Sequence, residues 1–215
     1  MNIETYYPTT SYPEILSQID EIRVFARQNF IPVVLDDTAR FLIENLRLYN
    51  PKRVLEIGTA IGYSGLIVLK TLKDCTLTTI ELSPQNYTLA KQNFEKFGEQ
   101  ERVNQILGDA FEVIKSLAEQ NKKFDFIFLD GPKGQYLKYL NFLEKMLSLG
   151  GVIFADDVLF LNKVDSTEKV IHKHRTMIMN LRKYLEVVLD TNKYDTKIYK
   201  IGEGVAITKP KVYTK

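Results

Sequence analysis

The 215-residue sequence predicts an α/β fold: a doubly wound, mostly parallel sheet with helices on both faces, helices ahead of it and an antiparallel hairpin at its C-terminal end. Three observations carry this. Five apolar runs, Arg53–Ile57, Thr76–Glu81, Val103–Leu107, Phe124–Asp130 and Val152–Asp156, alternate with stretches of helical periodicity, the pattern of parallel strands joined by crossover helices. Lys197–Lys200 and Val205–Thr208 flank Gly202-Glu203-Gly204, the signature of a hairpin. The hydrophobic share of 45% and charged share of 26% are those of an ordinary globular protein, and a chain this long buries roughly 70% of its unfolded surface. Residues 1–215 therefore read as one domain, with 1–50 a helical extension within it.

In chain order, Pro13 to Asn29 carries Ile15, Leu16, Ile19, Ile22, Val24 and Phe25 at near-helical spacing, with an acidic opposite face. Asp36-Asp37 offers an N-cap for a second helix through Tyr49, whose predicted buried side is Phe41, Leu42, Leu46 and Leu48. These helices pack as simple core, cover the site or meet another subunit. The first strand then runs into Gly58-Thr59-Ala60-Ile61-Gly62, a tight turn opening a helix. A glycine there lets backbone approach a ligand, and the first N–H groups of the helix face the same spot. Glu56 changes the sign of that spot. The spacing Glu56-x-Gly58-x-x-x-Gly62 is not that of dinucleotide binders, and a carboxylate would repel a pyrophosphate.

The second strand ends in Glu81, where such folds bind ribose hydroxyls, and Ser83-Pro84 caps the following helix. The third ends in Gly108-Asp109-Ala110. Three acids on successive strand ends suit a nucleoside bearing a cation. Strand four delivers Asp130 and strand five delivers Asp156-Asp157, all on the side where such sheets bind ligands. Strand-end aspartates can be solvated caps, but three converging carboxylates repel one another unless a cation sits among them, and an all-oxygen set suits Mg²⁺. Asp125 begins its strand and belongs to the opposite end.

This set resembles the metal-dependent O-methyltransferases, the class of catechol and caffeoyl-coenzyme A O-methyltransferases, and within it the bacterial tRNA 5-hydroxyuridine methyltransferases. The likeness runs from about Ile31 to Thr208 and rests on Leu55–Ser64, Leu129–Tyr136, Asp156–Phe160 and Ile201–Ile207. It implies a seven-stranded Rossmann-type sheet, S-adenosylmethionine contacts at Glu56, Gly58, Tyr63, Ser64, Glu81, Asp109, Ala110 and Asp130, Mg²⁺ ligands at Asp130, Asp156 and Asp157, and a catalytic lysine at Lys133. That lysine would accept the acceptor hydroxyl's proton, its pKa lowered by the neighbouring cation, or steady the oxyanion. The family usually has Asn where this chain has Asp157. The likeness also implies a homodimer.

Two acceptors fit: the hydroxyl of 5-hydroxyuridine at the tRNA wobble position, or a small catechol-like phenol. Charge is uneven, −3 over residues 1–50 and +4 over 151–215. Lys163, Lys169, His172, Lys173, His174, Arg175, Arg182 and Lys183 form either a basic surface for phosphates or an ordinary solvated helix face. Tyr6, Tyr7, Tyr12 and Tyr136 are candidates to stack on an aromatic acceptor. A single cysteine, Cys75, excludes an internal disulfide and a Cys-rich metal site. With no apolar run of 18 residues and no basic-then-apolar leader, the expectation is a cytoplasmic protein with no membrane partner.

Overall fold

A computed structural model describes residues 3–6, 14–160, 164 and 174–211. The chain folds as two compact units, residues 7–113 and residues 1–6 with 114–215. It begins with a short strand, β1 (Ile3–Glu4), that belongs to the second of these.

The first unit opens with helices α1 (Glu14–Gln18), α2 (Asp20–Gln28) and α3 (Asp36–Tyr49). The single helix expected over 13–29 breaks at the buried Ile19, and its apolar face is narrower than predicted. Ile22 and Ala26, four apart, are the buried residues of α2, which leaves Val24 and Phe25 on the outer side, 40% and 42% exposed. Leu48 is 74% exposed, off the stripe of Phe41, Leu42 and Leu46. Asp36 and Asp37 lie in the first turn of α3 rather than capping it. Leu35 is the N-cap, and Asp36 instead takes the Arg23 guanidinium at 2.8 Å.

After α3 come β2 (Arg53–Ile57), α4 (Tyr63–Thr71), β3 (Thr76–Glu81), α5 (Pro84–Lys96) and β4 (Val103–Leu107). The three strands pair in parallel in that order, with Ile57 beside Ile80 and Glu81 beside Leu107. The predicted cap of α5 is present: Ser83 Oγ accepts from Asn86 N–H at 3.3 Å, with Pro84 in the first turn. From Tyr63 to Leu69 α4 is buried and, Ser64 apart, apolar. Helix α6 (Ala110–Glu119) carries the chain into the second unit.

The second unit continues through β5 (Phe124–Leu129), α7 (Tyr136–Met146), β6 (Leu147–Ala155), α8 (Arg175–Val188), β7 (Tyr194–Tyr199) and β8 (Val205–Pro210). Its strands are ordered β1-β7-β8-β6-β5. β5 and β6 are parallel, β8 is antiparallel to both β6 and β7, and β1 joins the edge parallel to β7. The architecture is the expected α/β one with an antiparallel C-terminal pair. β1 makes an eighth strand among the described residues; two residues are too short for any periodicity to reveal. β6 starts five residues earlier than predicted, because Gly150-Gly151 continues it through an irregular register opposite Phe124–Phe126. Phe126, Phe128 and Phe154 pack ring to ring in its core, with centroids 5.9 and 5.6 Å apart. Among the described residues no helix is long and apolar enough to cross a membrane.

The turn from β7 to β8 is built on Gly204, whose φ is +92°, and a Cβ there would lie 2.4 Å from Leu159 Cγ. Gly204→Ala combines a left-handed backbone with a collision against a buried side chain. It should cost about 2–4 kcal/mol and lower the melting temperature by about 5–15 °C, measured by differential scanning calorimetry.

Candidate active site

Within the first unit, the turn after β2 is held to β3 by backbone: Gly58 and Thr59 N–H both donate to Ile80 O, at 3.1 and 3.2 Å. Gly58 (φ +100°) and Gly62 (φ +85°) both need a left-handed backbone. Gly62 also serves packing, since a Cβ there would lie 3.1 Å from the Phe94 ring. Gly65, one turn into α4, is the tighter contact, with Leu77 at 2.8 Å and Phe94 at 3.0 Å. Tyr63 and Ser64, in the first turn of α4, are buried.

Each predicted acid of this unit has a donor that fixes it. Glu56, fully buried, accepts from Thr79 Oγ1 at 2.6 Å, and Thr59 Oγ1 lies 2.5 Å from Thr79 Oγ1. Glu81 accepts from the N–H groups of Ala60 and Ser83, both at 2.8 Å, and so ties the β2 turn to the cap of α5. Gly108 N–H donates to Glu81 O at 2.8 Å, which brings the exposed Asp109 to the same strand ends. Asp109 Oδ1 accepts from Phe111 and Glu112 N–H at 2.9 and 3.2 Å, capping α6, whose first residue is Ala110. Sequence reading missed Thr59 and Thr79. For Thr79 the signal lies in strand register, since two residues inside the end of β3 it stands beside Glu56 on β2; Thr59, beyond the end of β2, carries none.

In the second unit, Asp130 follows β5 directly and Asp156 follows β6. Leu129 is beside Ala155, and Asp156 N–H donates to Leu129 O at 3.0 Å. Asp157 comes next, in a left-handed conformation (φ +57°) that short polar side chains tolerate. One carboxylate oxygen from each of Asp130, Asp156 and Asp157 lies within 4.8 Å of the others. Lys133 Nζ sits 2.5 Å from Asp130 Oδ1 and 3.0 Å from Asp157 Oδ2. The turn carrying it is pinned by Asn180 Nδ2 of α8, which donates to Gly134 O at 2.9 Å. Asp157 N–H donates to Asp156 Oδ1 at 2.8 Å.

Burial, then repulsion by Asp130 and Asp157, holds the Asp156 carboxyl well above its usual range. Burial also raises Asp130, against the pull of Lys133. For Lys133, burial works against the charged form, but Tyr136, Asp130 and Asp157 together lift it well above its ordinary value. Tyr136 is itself pushed far up by burial and so stays neutral, which leaves the two carboxylates as the partners that count near neutral pH. By itself the chain therefore holds Lys133 as an ammonium, not with the lowered pKa of a base. The donor set fits a hard divalent cation: three carboxylates from two adjacent strand ends, with no soft ligand.

Of the stacking candidates, Tyr136 is fully buried, its hydroxyl donating toward Leu129 O and Asp156 O at 3.1 Å each and its ring packed edge-on against Tyr184. It braces the strand ends and is not available to an acceptor. Tyr7 and Tyr12 lie outside the described residues, as do Lys163, Lys169, His172 and Lys173. Of the remaining basic residues, His174 packs its ring against Phe160 and Arg182 Nε donates to Val164 O at 3.0 Å, while Arg175 and Lys183 are exposed on α8.

The O-methyltransferase family model matches residues 8–211. A caffeoyl-CoA O-methyltransferase of Populus kitakamiensis is 30% identical over 216 residues, covering 94% of this chain and 89% of the relative. Among solved structures, a putative caffeoyl-CoA O-methyltransferase from Staphylococcus aureus is 29% identical with a TM-score of 0.83, over 92% of this chain and 96% of the other. The SAH-bound methyltransferase PaMTH1 of Podospora anserina is 25% identical with a TM-score of 0.79, over 93% and 89%.

The raised pKa of Asp156 ties stability to pH. A carboxyl whose folded pKa lies above its unfolded value favours the fold at low pH, and that contribution is lost as pH rises through the folded value. Without divalent metal, Asp156→Asn should therefore melt above the unmodified protein at pH 8, with the gap closing toward pH 4. Magnesium should reverse the order. A hundredfold excess over its dissociation constant adds about 2.7 kcal/mol and roughly 5–10 °C to the unmodified protein and much less to Asp156→Asn, by thermal melts with and without chelator.

Proposed function

The chain belongs to the O-methyltransferase family and is an S-adenosylmethionine-dependent O-methyltransferase; on that premise we propose that it is a divalent-metal-assisted enzyme methylating a hydroxyl that has a second oxygen beside it, on a small catechol-like phenol. The observation that carries this is the convergence of Asp130, Asp156 and Asp157 within 4.8 Å around the Lys133 ammonium. The acceptor class follows the caffeoyl-CoA O-methyltransferase relatives.

Asp130, Asp156 and Asp157 would hold Mg²⁺, which supplies positive charge that acidifies an acceptor hydroxyl and orients it. S-adenosylmethionine supplies the methyl group: the new O–C bond forms as the S–C bond breaks, the sulfonium charge is lost, and the acceptor hydroxyl's proton is released to solvent. The residues proposed to bind it are Glu56, Gly58, Tyr63, Ser64, Glu81, Asp109, Ala110 and Asp130. Glu56 answers the positive charge, Glu81 the ribose hydroxyls, and Gly58 allows close approach of the backbone. Two of the three ammonium protons of Lys133 go to Asp130 and Asp157, and the third remains for the acceptor oxygen. Of the two roles open to this lysine, steadying the oxyanion is the one its charge state and geometry support.

A second reading, tRNA 5-hydroxyuridine as acceptor, is favoured by one observation: the exposed Arg175 and Lys183 of α8 within a C-terminal stretch of charge +4. The modified base also presents neighbouring oxygens, so the site chemistry is shared. The proposal includes a homodimer, for which the exposed Val24, Phe25 and Leu48 offer apolar surface.

Incubation with labelled S-adenosylmethionine and Mg²⁺, separately with a panel of catechols and with bulk tRNA containing hydroxyuridine, tests both acceptors. Label in the catechols is expected. Label in tRNA alone replaces the first reading by the second, and label in neither removes both. On the true acceptor, Lys133→Ala and Asp130→Ala should each lower kcat by about 10²–10⁴, with S-adenosylmethionine binding retained in Lys133→Ala by titration calorimetry.

A further inference from the structure

Glu56 is a carboxylate with no exposed surface, at the end of a strand, and its orientation depends on neighbours that family likeness does not single out. Thr79 stands beside it on β3, in direct register, and donates from Oγ1 to Glu56 Oε2 at 2.6 Å. A threonine hydroxyl has one proton, so that bond commits it. The 2.5 Å contact between Thr59 and Thr79 must then run from Thr59 Oγ1 as donor to Thr79 Oγ1 as acceptor. The result is a buried chain Thr59→Thr79→Glu56, all three residues 1% exposed or less. It begins in the turn that follows β2 and ends on the acid that precedes it. Thr59 is further fixed by its own N–H on Ile80 O at 3.2 Å.

We propose that Thr79 and Thr59 are positioning residues for cofactor binding: their hydroxyl chain locks the Glu56 side chain in one rotamer with Oε2 satisfied, so that its charge is aimed before the sulfonium nucleoside arrives. This rests on the reading of Glu56 as a cofactor contact. The chain's second effect is to join carboxylate and turn, so that Gly58 and Glu56 keep one relative geometry. Loss of the Thr79 hydroxyl removes one donor from the buried carboxylate and loosens its orientation. Loss of the Thr59 hydroxyl leaves Glu56 its bond but unfixes the donor.

The test is S-adenosylmethionine affinity by titration calorimetry on the full chain, with the melting temperature of each variant recorded alongside. Thr79→Val, which keeps the shape, should raise Kd and KM for S-adenosylmethionine about tenfold while kcat at saturation changes less than twofold. Thr79→Ser should bind as the unmodified protein does. Thr59→Val should raise Kd two- to fourfold. Glu56→Gln separates the two claims. If it binds normally, Glu56 is no cofactor contact and the positioning role falls with it. If Glu56→Gln weakens binding but Thr79→Val does not, Glu56 keeps its role and the positioning chain is overturned. Should Thr79→Val fail to fold, Thr59→Val decides: unchanged affinity there overturns the chain.

Discussion

Three carboxylates held within 4.8 Å of one another repel, and the second unit is built to keep them there. Parallel strands β5 and β6, with Leu129 beside Ala155, deliver Asp130 and Asp156 side by side as the residues that follow. Burial and mutual repulsion make the ionised Asp156 costly, and among the described residues the counterweight is the Lys133 ammonium, three residues beyond Asp130. The bracing around it follows from this demand. Tyr136 bonds both strand ends, Asn180 pins the lysine's turn, and the Gly204 turn accepts Val158 N–H at 2.9 Å. Among the described residues one ammonium faces three acids, an arrangement that suits a divalent cation.

The first unit solves a milder version of the same problem by another means. The strand-end acids singled out there take neutral donors: backbone N–H groups for Glu81 and Asp109, a hydroxyl for Glu56. Neutral donors orient a carboxylate without bringing a charge of their own, which suits acids proposed to meet a positive ligand.

Most of this was legible in the sequence because strand ends are legible. β2, β3 and β4 have the predicted limits, and once a strand's last residue is known, the acid at or after it falls on the ligand side. What was missed has physical reasons. The break at Ile19 and the exposure of Val24, Phe25 and Leu48 arise because a helix buries only the stripe that tertiary packing selects, and hydrophobicity alone does not choose among apolar residues. Tyr136 looked like a stacking candidate because an aromatic near a candidate catalytic lysine reads alike whether it faces acceptor or core. Thr59 and Thr79 carry no signal alone, and only strand register turns them into partners of Glu56. The raised pKa of Lys133 draws on Asp130 and then on Asp157, 3.0 Å away, and the second distance is one that spacing along the chain does not give.

Asp157 shows how backbone can narrow a functional choice. Its φ of +57° is a conformation in which β-branched and bulky residues are strained, while Asn, Asp and Gly are tolerated. Gly would remove the side chain that meets Lys133, which leaves Asn and Asp as the residues satisfying both backbone and site. They differ by one charge and almost no volume. An exchange between them leaves the turn, its bond to Asp156 and the packing of Leu159 in place, and changes only the electrostatics. On the proposed metal reading, this position would tune the site and the charge on Lys133 without disturbing the fold. The negative side chain deepens the hold on Lys133 and would bind a cation more strongly, at the cost of a less acidifying metal, whereas Asn would relax both. Residue 157 is thus where the proposed site would set the balance between holding the ion and using it.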